Sequence, residues 1–183
     1  PITSEAFAAA HGLDQRPIIA LLPGSRKQEI SKMLDVMLSI TEDFANYQFV
    51  IAGAPSQEAS FYRPFLLKQN VHLLLNKTYD LLSVSHAAIV TSGTATLETA
   101  LFKVPQVVCY KANPISVAIA RLVVKLKFIS LVNLILDKEV VTELIQRDFN
   151  TQRLSKEVNK ILNTDNRVSL RESYDDLEQK LGG

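Results

Sequence analysis

Leu21-Leu22-Pro23-Gly24-Ser25-Arg26 closes the apolar run 17–22 and passes at once into the polar Lys27-Gln28-Glu29. A short apolar run that halts at Pro-Gly and resumes with charged residues spells strand, tight turn, helix. Glycine turns the chain sharply and lets a ligand come close to the backbone. Ser25 is expected to cap the new helix, with Gln28 three residues on completing a capping box. The arrangement leaves helix N–H groups and the positive end of the helix dipole facing outward beside the Arg26 guanidinium. That is a seat for an anion, and for phosphate first of all. An ordinary strand-to-helix turn with a surface arginine is the plainer reading of the same residues.

Outward from this turn the same alternation continues. Short apolar runs at 47–52, 71–75, 87–91 and 105–110 read as further strands. Between them, Ile30, Met33, Leu34, Met37, Leu38, Ile40 and Phe44 recur at helical spacing over 30–44. Residues 57–69 read as a helix broken by Pro64, and 78–85 and 95–102 as short helices. The pattern predicts an α/β fold: a Rossmann-like parallel sheet with helices on both faces, followed by C-terminal helices at 136–149 and 150–162. The tail 163–183 is polar and helical at most. Ligands of such sheets sit at the carboxyl ends of the strands. The loops 23–26, 53–56, 76–77 and 92–94 are therefore expected on one rim.

Composition narrows the function. At 183 residues, with 47% hydrophobic and 21% charged residues, the chain is globular and long enough for one buried core. A net charge of +1 argues against a nucleic-acid binder that relies on bulk positive charge. The single cysteine, Cys109, excludes an internal disulfide framework and a cysteine zinc cluster. His11, His72 and His86 lack ligand spacing, so no metal site is expected. The start of the chain has no basic-then-apolar leader pattern, and its first residue, proline, leaves open that it is a piece of a longer protein. Arg121, Lys125 and Lys127 interrupt the longest apolar stretch, so no membrane-spanning helix is expected.

Ser92-Gly93-Thr94-Ala95-Thr96-Leu97-Glu98 repeats the logic of the first turn: a strand ends, a hydroxyl and a glycine follow, a helix begins. Glu98 lies about one turn into that helix, where its carboxylate can reach back to the mouth of the site. A carboxylate there suits the vicinal diol of a ribose; a capping acid on the helix dipole is the other reading. Two anion-competent helix starts and one carboxylate on a shared rim describe a nucleotide-diphosphate pocket. The G-x-G-x-x-G and G-x-x-x-x-G-K-[ST] motifs are absent, which disfavours a dehydrogenase or a P-loop ATPase.

Four segments together carry a family resemblance: Leu-Pro-Gly-Ser-Arg with Glu29 following, Thr-Ser-Gly-Thr-Ala-Thr-Leu-Glu, Val-Val-Cys-Tyr-Lys, and Ser-Leu-Val-Asn-Leu-Ile. In order and spacing, over residues 17–153, they resemble the lipid-A-disaccharide synthases. The resemblance implies a glycosyltransferase-B fold of two Rossmann-like domains, with this chain as the C-terminal, nucleotide-binding half. On that basis 1–162 is read as a nucleotide-sugar-binding domain with C-terminal helices, and 163–183 as a polar helical tail. The implied reaction joins UDP-2,3-diacylglucosamine to 2,3-diacylglucosamine 1-phosphate (lipid X) in lipid A and lipopolysaccharide assembly, releasing UDP. Such folds generally use no metal or other cofactor; helix dipoles and basic side chains stabilise the departing diphosphate.

Carried onto matching positions, the resemblance implies that Gly24, Ser25 and Arg26, with Ser92, Gly93 and Thr94, bind the diphosphate, Arg26 stabilising the leaving group. Glu98 is expected to hold the ribose, and the backbone near Asn76 to edge the uracil. Tyr110 and Lys111 stand where the family has Tyr-Arg or Tyr-Lys, which assigns Lys111 to phosphate. Asn133 matches an asparagine that follows proline in the family; here Val132 precedes it, which alters the local turn more than the side chain. Glu143 and Gln146, read as one helical turn apart on one face, match a Glu-x-x-Gln feature and are candidates for the sugar or diphosphate. A solvated helix face is their alternative reading.

No general base is assignable in this chain. The family's base is attributed to the N-terminal domain, and His72 and His86 are expected in the core. The isolated chain is thus expected to bind nucleotide without turnover. Residues 115–131 place Ile115, Ala118, Ile119, Leu122, Val123 and Leu126 on one apolar stripe with Arg121, Lys125 and Lys127 elsewhere around the helix. The stripe suits either a membrane headgroup region or packing against another domain or subunit. The resemblance implies a dimer formed by exchange of C-terminal segments, and a peripheral place on the cytoplasmic face of the bacterial inner membrane. Another UDP-sugar transferase or epimerase, or a non-catalytic nucleotide-binding module, are the competing readings.

Overall fold

Residues 18–22 form β1 (Ile18–Leu22), buried at every position, and its side chains alternate between two packed layers. Ile19 and Leu21 meet Ile30, Met33, Leu34 and Met37 of α2 (Lys27–Met37). Ile18, Ala20 and Leu22 meet Phe7 and Ala8 of α1 (Ser4–Ala10) and Leu81 and Leu82 of α4 (Thr78–Val84). A strand covered on both faces cannot alternate apolar with polar residues, which is why this one reads as an unbroken apolar run. The structure is a computed structural model, and it describes residues 2–111 and 127–183.

The sheet holds β2 (Gln48–Gly53), β3 (Val71–Leu75), β4 (Ala87–Thr91), β5 (Gln106–Tyr110) and β6 (Thr142–Ile145) besides β1. Its order is β3-β2-β1-β4-β5-β6, and every pairing is parallel. The expected α/β architecture and its five strands at 17–22, 47–52, 71–75, 87–91 and 105–110 are found, with edges shifted by a residue at most. Strand order reverses between β1 and β4, so the turns leaving these two neighbours open a crevice at their carboxyl ends. α3 (Ala59–Tyr62), ended by a 3-10 turn through Pro64, follows β2, and α5 (Thr94–Leu101) follows β4.

Three expectations are corrected. The helix expected over 30–44 is α2 followed by a 3-10 segment, Leu38–Phe44. The helix expected over 136–149 is absent: α6 (Leu131–Leu136) ends at Asp137 in the left-handed region (φ 52°), and the chain then adds β6 to the sheet edge. The β-branched Val140, Val141, Thr142 and Ile145 favour a strand, and pairing with Val107–Tyr110 of β5 supplies the hydrogen bonds a helix would have made. The third correction concerns Ser25. The residue at the N-cap of α2 is Arg26, and no side chain caps that helix, so the Ser25–Gln28 capping box does not form.

α7 (Thr151–Leu162) and α8 (Thr164–Lys180) complete the layer over β5 and β6, each started by an asparagine whose side chain accepts first-turn N–H groups. The sparse apolar residues of the tail have one destination. Leu170, Tyr174 and Leu177 of α8 are buried in the same cluster as Ile19 and Leu21. Lys103 ties the helix down from the other side through Asp175 (2.8 Å) and Glu178 (2.9 Å).

Tyr174 is fully buried, so Tyr174→Ala is expected to cost about 3–5 kcal/mol of stability. Urea unfolding checks this: a change within about 0.5 kcal/mol would mean that α8 is a surface tail and not part of the core.

Candidate functional site

A cleft of about 330 Å3 opens at the carboxyl ends of β1, β2 and β4, where the strand order reverses. Gly24, Ser25 and Glu29 line it from the β1 side, Gly53, Ala54 and Pro55 from β2, Thr78 from α4, and Thr91–Ala95 with Glu98 from the β4 side. The two turns singled out in the sequence therefore face each other across one opening. Arg26 is exposed at the lip, close enough to act electrostatically on Glu29.

Backbone conformation explains the two glycines. Gly24 has φ +102°, and a Cβ there would lie 1.9 Å from Glu29 Oε1. Gly93, at the N-cap of α5, has φ +149°. Both conformations are ones that L side chains rarely adopt. The β2 loop then fixes the first turn: Ser56 Oγ (3.1 Å) and Gln57 Nε2 (3.0 Å) donate to the Ser25 carbonyl. Tyr62, fully buried beneath, accepts the Ala54 N–H at 2.9 Å.

The helices opening onto this cleft share a property. α2, α4 and α5 have no side-chain cap, whereas α1, α6, α7 and α8 are capped by Thr3, Ser130, Asn150 and Asn163. A helix start without a capping oxygen leaves its first N–H groups to solvent or to a bound anion. Glu98, half-buried, accepts a long hydrogen bond from Tyr79 Oη at 3.4 Å. Glu98 makes no hydrogen bond to the first N–H groups of α5, against the capping-acid reading.

Glu29 is the lining residue that the sequence reading passed over as a site residue. Burial raises its carboxyl pKa, and the neighbouring Arg26 charge partly offsets that. A signal existed: an acid three residues after the N-cap is placed to fold back over the turn.

The remaining candidates divide. Asn76 (φ 58°) follows β3, two residues before the lining residue Thr78. Tyr110 and Lys111 sit at the carboxyl end of β5 on the same rim without lining the cleft. Asn133, Glu143 and Gln146 lie away from it. Glu143 is on β6 and Gln146 begins a 3-10 turn with φ 57°, so they do not share a helix face. Asn133 is fully buried and saturated: Oδ1 accepts from Val140 N (2.8 Å) and Val141 N (3.0 Å), and Nδ2 donates to Val141 O (2.8 Å) and Glu143 Oε2 (3.1 Å). Glu143 also accepts the N–H groups of Ile129 (3.0 Å) and Ser130 (2.8 Å). The Ile129 carbonyl in turn accepts from Ser92 Oγ at 3.3 Å. This chain of bonds ties the segment entering α6 to the second turn of the cleft. Val132, where the family has proline, is buried, and Asn133 is held by bonds to Ser130, Val140, Val141 and Glu143.

A larger cleft, about 410 Å3, opens at the opposite edge of the sheet, but its charged groups are already engaged. Arg16 bonds Asp14 (2.6 Å) and the Ala45 carbonyl (3.1 Å), and Arg167 donates to the His86 carbonyl (2.5 Å). His72 and His86 belong to this edge; they are half-buried rather than in the core, and burial lowers the pKa of each. Cys109 is buried, and burial pushes its thiol pKa up. Among the described residues no group of three or more His, Cys, Asp or Glu is placed to hold a metal ion, and no helix is long and apolar enough to cross a membrane. The expectations for Ile115, Ala118, Ile119, Arg121, Leu122, Val123, Lys125 and Leu126 lie outside the described residues.

A family model described as lipid-A-disaccharide synthetase matches residues 3–182. The lipid-A-disaccharide synthase of Syntrophus aciditrophicus is 38% identical over 172 residues, taking in 90% of this chain and 45% of the relative. That of Coxiella burnetii is 37% identical over 155 residues, taking in 82% of this chain and 41% of the relative. The chain thus spans less than half the length of these curated relatives. Among solved structures, the spinosyn rhamnosyltransferase SpnG superposes with TM-score 0.62 at 13% identity, over 94% of this chain and 44% of that one. The Methanocaldococcus jannaschii UDP-GlcNAc 2-epimerase, in complex with UDP-GlcNAc and UDP, gives TM-score 0.54 at 15% identity, over 98% and 48%. At such identities the likeness concerns the fold.

Removing the buried Asn133 side chain orphans the N–H groups of Val140 and Val141. Asn133→Ala is therefore expected to destabilise the protein by about 3 kcal/mol, read as a lower urea midpoint at unchanged m-value.

Proposed function

The chain belongs to the lipid-A-disaccharide synthetase family, and from that premise we propose that its cleft holds the uridine diphosphate of an acylated, UDP-activated glucosamine. The chain would then be the nucleotide-binding half of a transferase that moves 2,3-diacylglucosamine from its UDP donor to 2,3-diacylglucosamine 1-phosphate. The observation that carries this reading is the meeting of two uncapped helix starts, α2 and α5, across the β1–β4 crevice, with Glu98 beside them.

The chemistry follows from the geometry. As the acceptor hydroxyl attacks the anomeric carbon, the carbon–oxygen bond to the diphosphate breaks and negative charge gathers on the departing phosphate oxygen. N–H groups of α2 and α5, preorganised by the turns at Gly24 and Gly93, and the Arg26 guanidinium at the lip meet that charge as it forms. Gly24, Ser25, Ser92, Gly93 and Thr94 bind through backbone and hydroxyl groups, Glu98 takes the ribose diol, and the Asn76 backbone edges the uracil. Lys111, at the end of β5, approaches the phosphates from the rim, with Tyr110 beside it. Asn133 on α6 and Glu143 on β6 serve by holding the wall behind Ser92, and Gln146 begins the turn that follows β6. The base that takes the acceptor proton belongs, on this reading, to the part of the family's length outside this chain. Acylated substrates place the protein at the cytoplasmic surface of the inner membrane, and exchange of C-terminal segments would pair two copies.

A second reading, a UDP-sugar epimerase or another UDP-sugar transferase, is favoured by the fold likeness to the UDP-GlcNAc 2-epimerase. Calorimetric titration with UDP, UDP-N-acetylglucosamine and the diacylated donor separates the two by donor preference.

Arg26 is exposed and Glu98 half-buried, so Arg26→Ala and Glu98→Gln are expected to leave thermal melting unchanged while each weakens UDP binding about tenfold or more. Wild-type affinity in both variants would overturn the site assignment.

A further inference from the structure

A diphosphate cleft with two carboxylates in its lining and one guanidinium at its lip carries the wrong balance of charge for its guest. Glu98 has an occupation, since the Tyr79 hydroxyl donates to it and the ribose reading uses it. Glu29 has none. It projects from the first turn of α2 and lies so close over Gly24 that a Cβ there would fall 1.9 Å from its Oε1. Among the described residues no hydrogen-bond donor reaches its carboxylate. It thus occupies the ground that the uncapped helix start offers to an anion, and an ionised carboxylate there repels the phosphate that must share it.

Resting on the nucleotide reading above, we propose that Glu29 joins the diphosphate site as the neutral acid, donating its O–H to a phosphate oxygen, so that nucleotide binding takes up one proton at this residue. In the free protein the carboxylate fills the seat as an internal anion; in the complex it becomes a donor and adds to the N–H groups around it. Burial already favours the neutral form of Glu29, against the opposing charge of Arg26. The charged groups around it are Arg26 on its own turn, Lys27, which lies 5.8 Å from the centre of the Phe61 ring, and Glu98 from α5. The residues of the β2 and β4 loops that line the cleft carry no titratable side chain, and His72 and His86 lie at the opposite edge of the sheet. A bound phosphate raises the carboxyl pKa further. Affinity therefore grows as pH falls from above the bound-state pKa and levels off below the free-state pKa.

The test uses the full chain and UDP-glucose, whose doubly esterified diphosphate does not titrate in the range. Binding is followed calorimetrically between about pH 5 and about pH 8 in buffers of different ionisation enthalpy. The wild type is expected to bind about tenfold tighter at the acid end and to take up about one proton per nucleotide in mid-range. Glu29→Gln, isosteric with the neutral acid, is expected to bind about tenfold tighter than wild type at the alkaline end, with a flat profile. Glu98→Gln is expected to weaken binding and keep the slope. A Glu29→Gln protein that binds more weakly at every pH, or a slope that survives in it and vanishes in Glu98→Gln, would overturn the proposal. So would a wild type that binds without proton uptake, and that result leaves the nucleotide reading standing. Failure of every variant to bind at any pH overturns the nucleotide reading itself and this inference with it.

Discussion

The parallel direction of the sheet constrains everything else in this molecule. A strand that pairs in parallel must be followed by a crossover, and each crossover leaves from the same edge, so all the strand-to-helix turns gather on one rim. The reversal of strand order between β1 and β4 parts two of those turns and leaves a crevice between them. Helices begin there with N–H groups that no residue inside the helix can satisfy. Threonine, serine or asparagine closes the starts of α1, α6, α7 and α8; at the crevice α2, α4 and α5 go without, as does the short α3. The exposed helix N–H groups of the crevice thus follow from the topology and from starts left without caps.

A crevice bounded by turns needs walls, and they are built from groups that do not line the cleft. Tyr62, Ser56 and Gln57 hold the first turn through backbone atoms of Ala54 and Ser25. On the other side Asn133 uses all of its amide to join α6 to the strand after it, and Glu143 gathers the N–H groups of Ile129 and Ser130. The Ile129 carbonyl passes that order to Ser92. Buried polar groups satisfied so completely fix one arrangement of loops that apolar packing alone would leave slack. Residue types that suit sugar or phosphate chemistry here serve the scaffold, because an amide and a carboxylate are equally good partners for orphaned backbone.

On the proposed reading, the arrangement of charge in the cleft bears on the transfer as well as on binding. A leaving diphosphate gains charge late, so donors fixed before the reaction are worth more than mobile cations that must reorganise. On that reading the helix starts supply fixed donors, Arg26 a charge at the lip, and Glu29 a group that is neutral or negative according to its proton. The curated relatives are more than twice as long as the matched region, and on the proposed reading the acceptor side of the chemistry falls to that remaining length.

The strands β1 to β5, the turns at Gly24 and Gly93 and their place on one rim were legible in the sequence, because buried parallel strands and glycine turns are local and repeat at fixed periods. β6 was not: Thr142-Glu143-Leu144-Ile145 carries only four residues of pattern, and its strand state comes from an open sheet edge offered by β5, which is far off in sequence. The tail was legible as helical, but its place in the core was not, since three buried side chains in seventeen residues make a weak stripe until a core receives them. Glu29 was read as part of a motif, yet its position over Gly24 exists only once the turn has folded. The sequence by itself determined the layered fold and which turns line the cleft, through short-range periodicity and backbone freedom. Only the tertiary structure decided that Asn133 and Glu143 brace the site and that Glu29 sits within it, because those roles depend on partners brought together by the sheet and not by the chain.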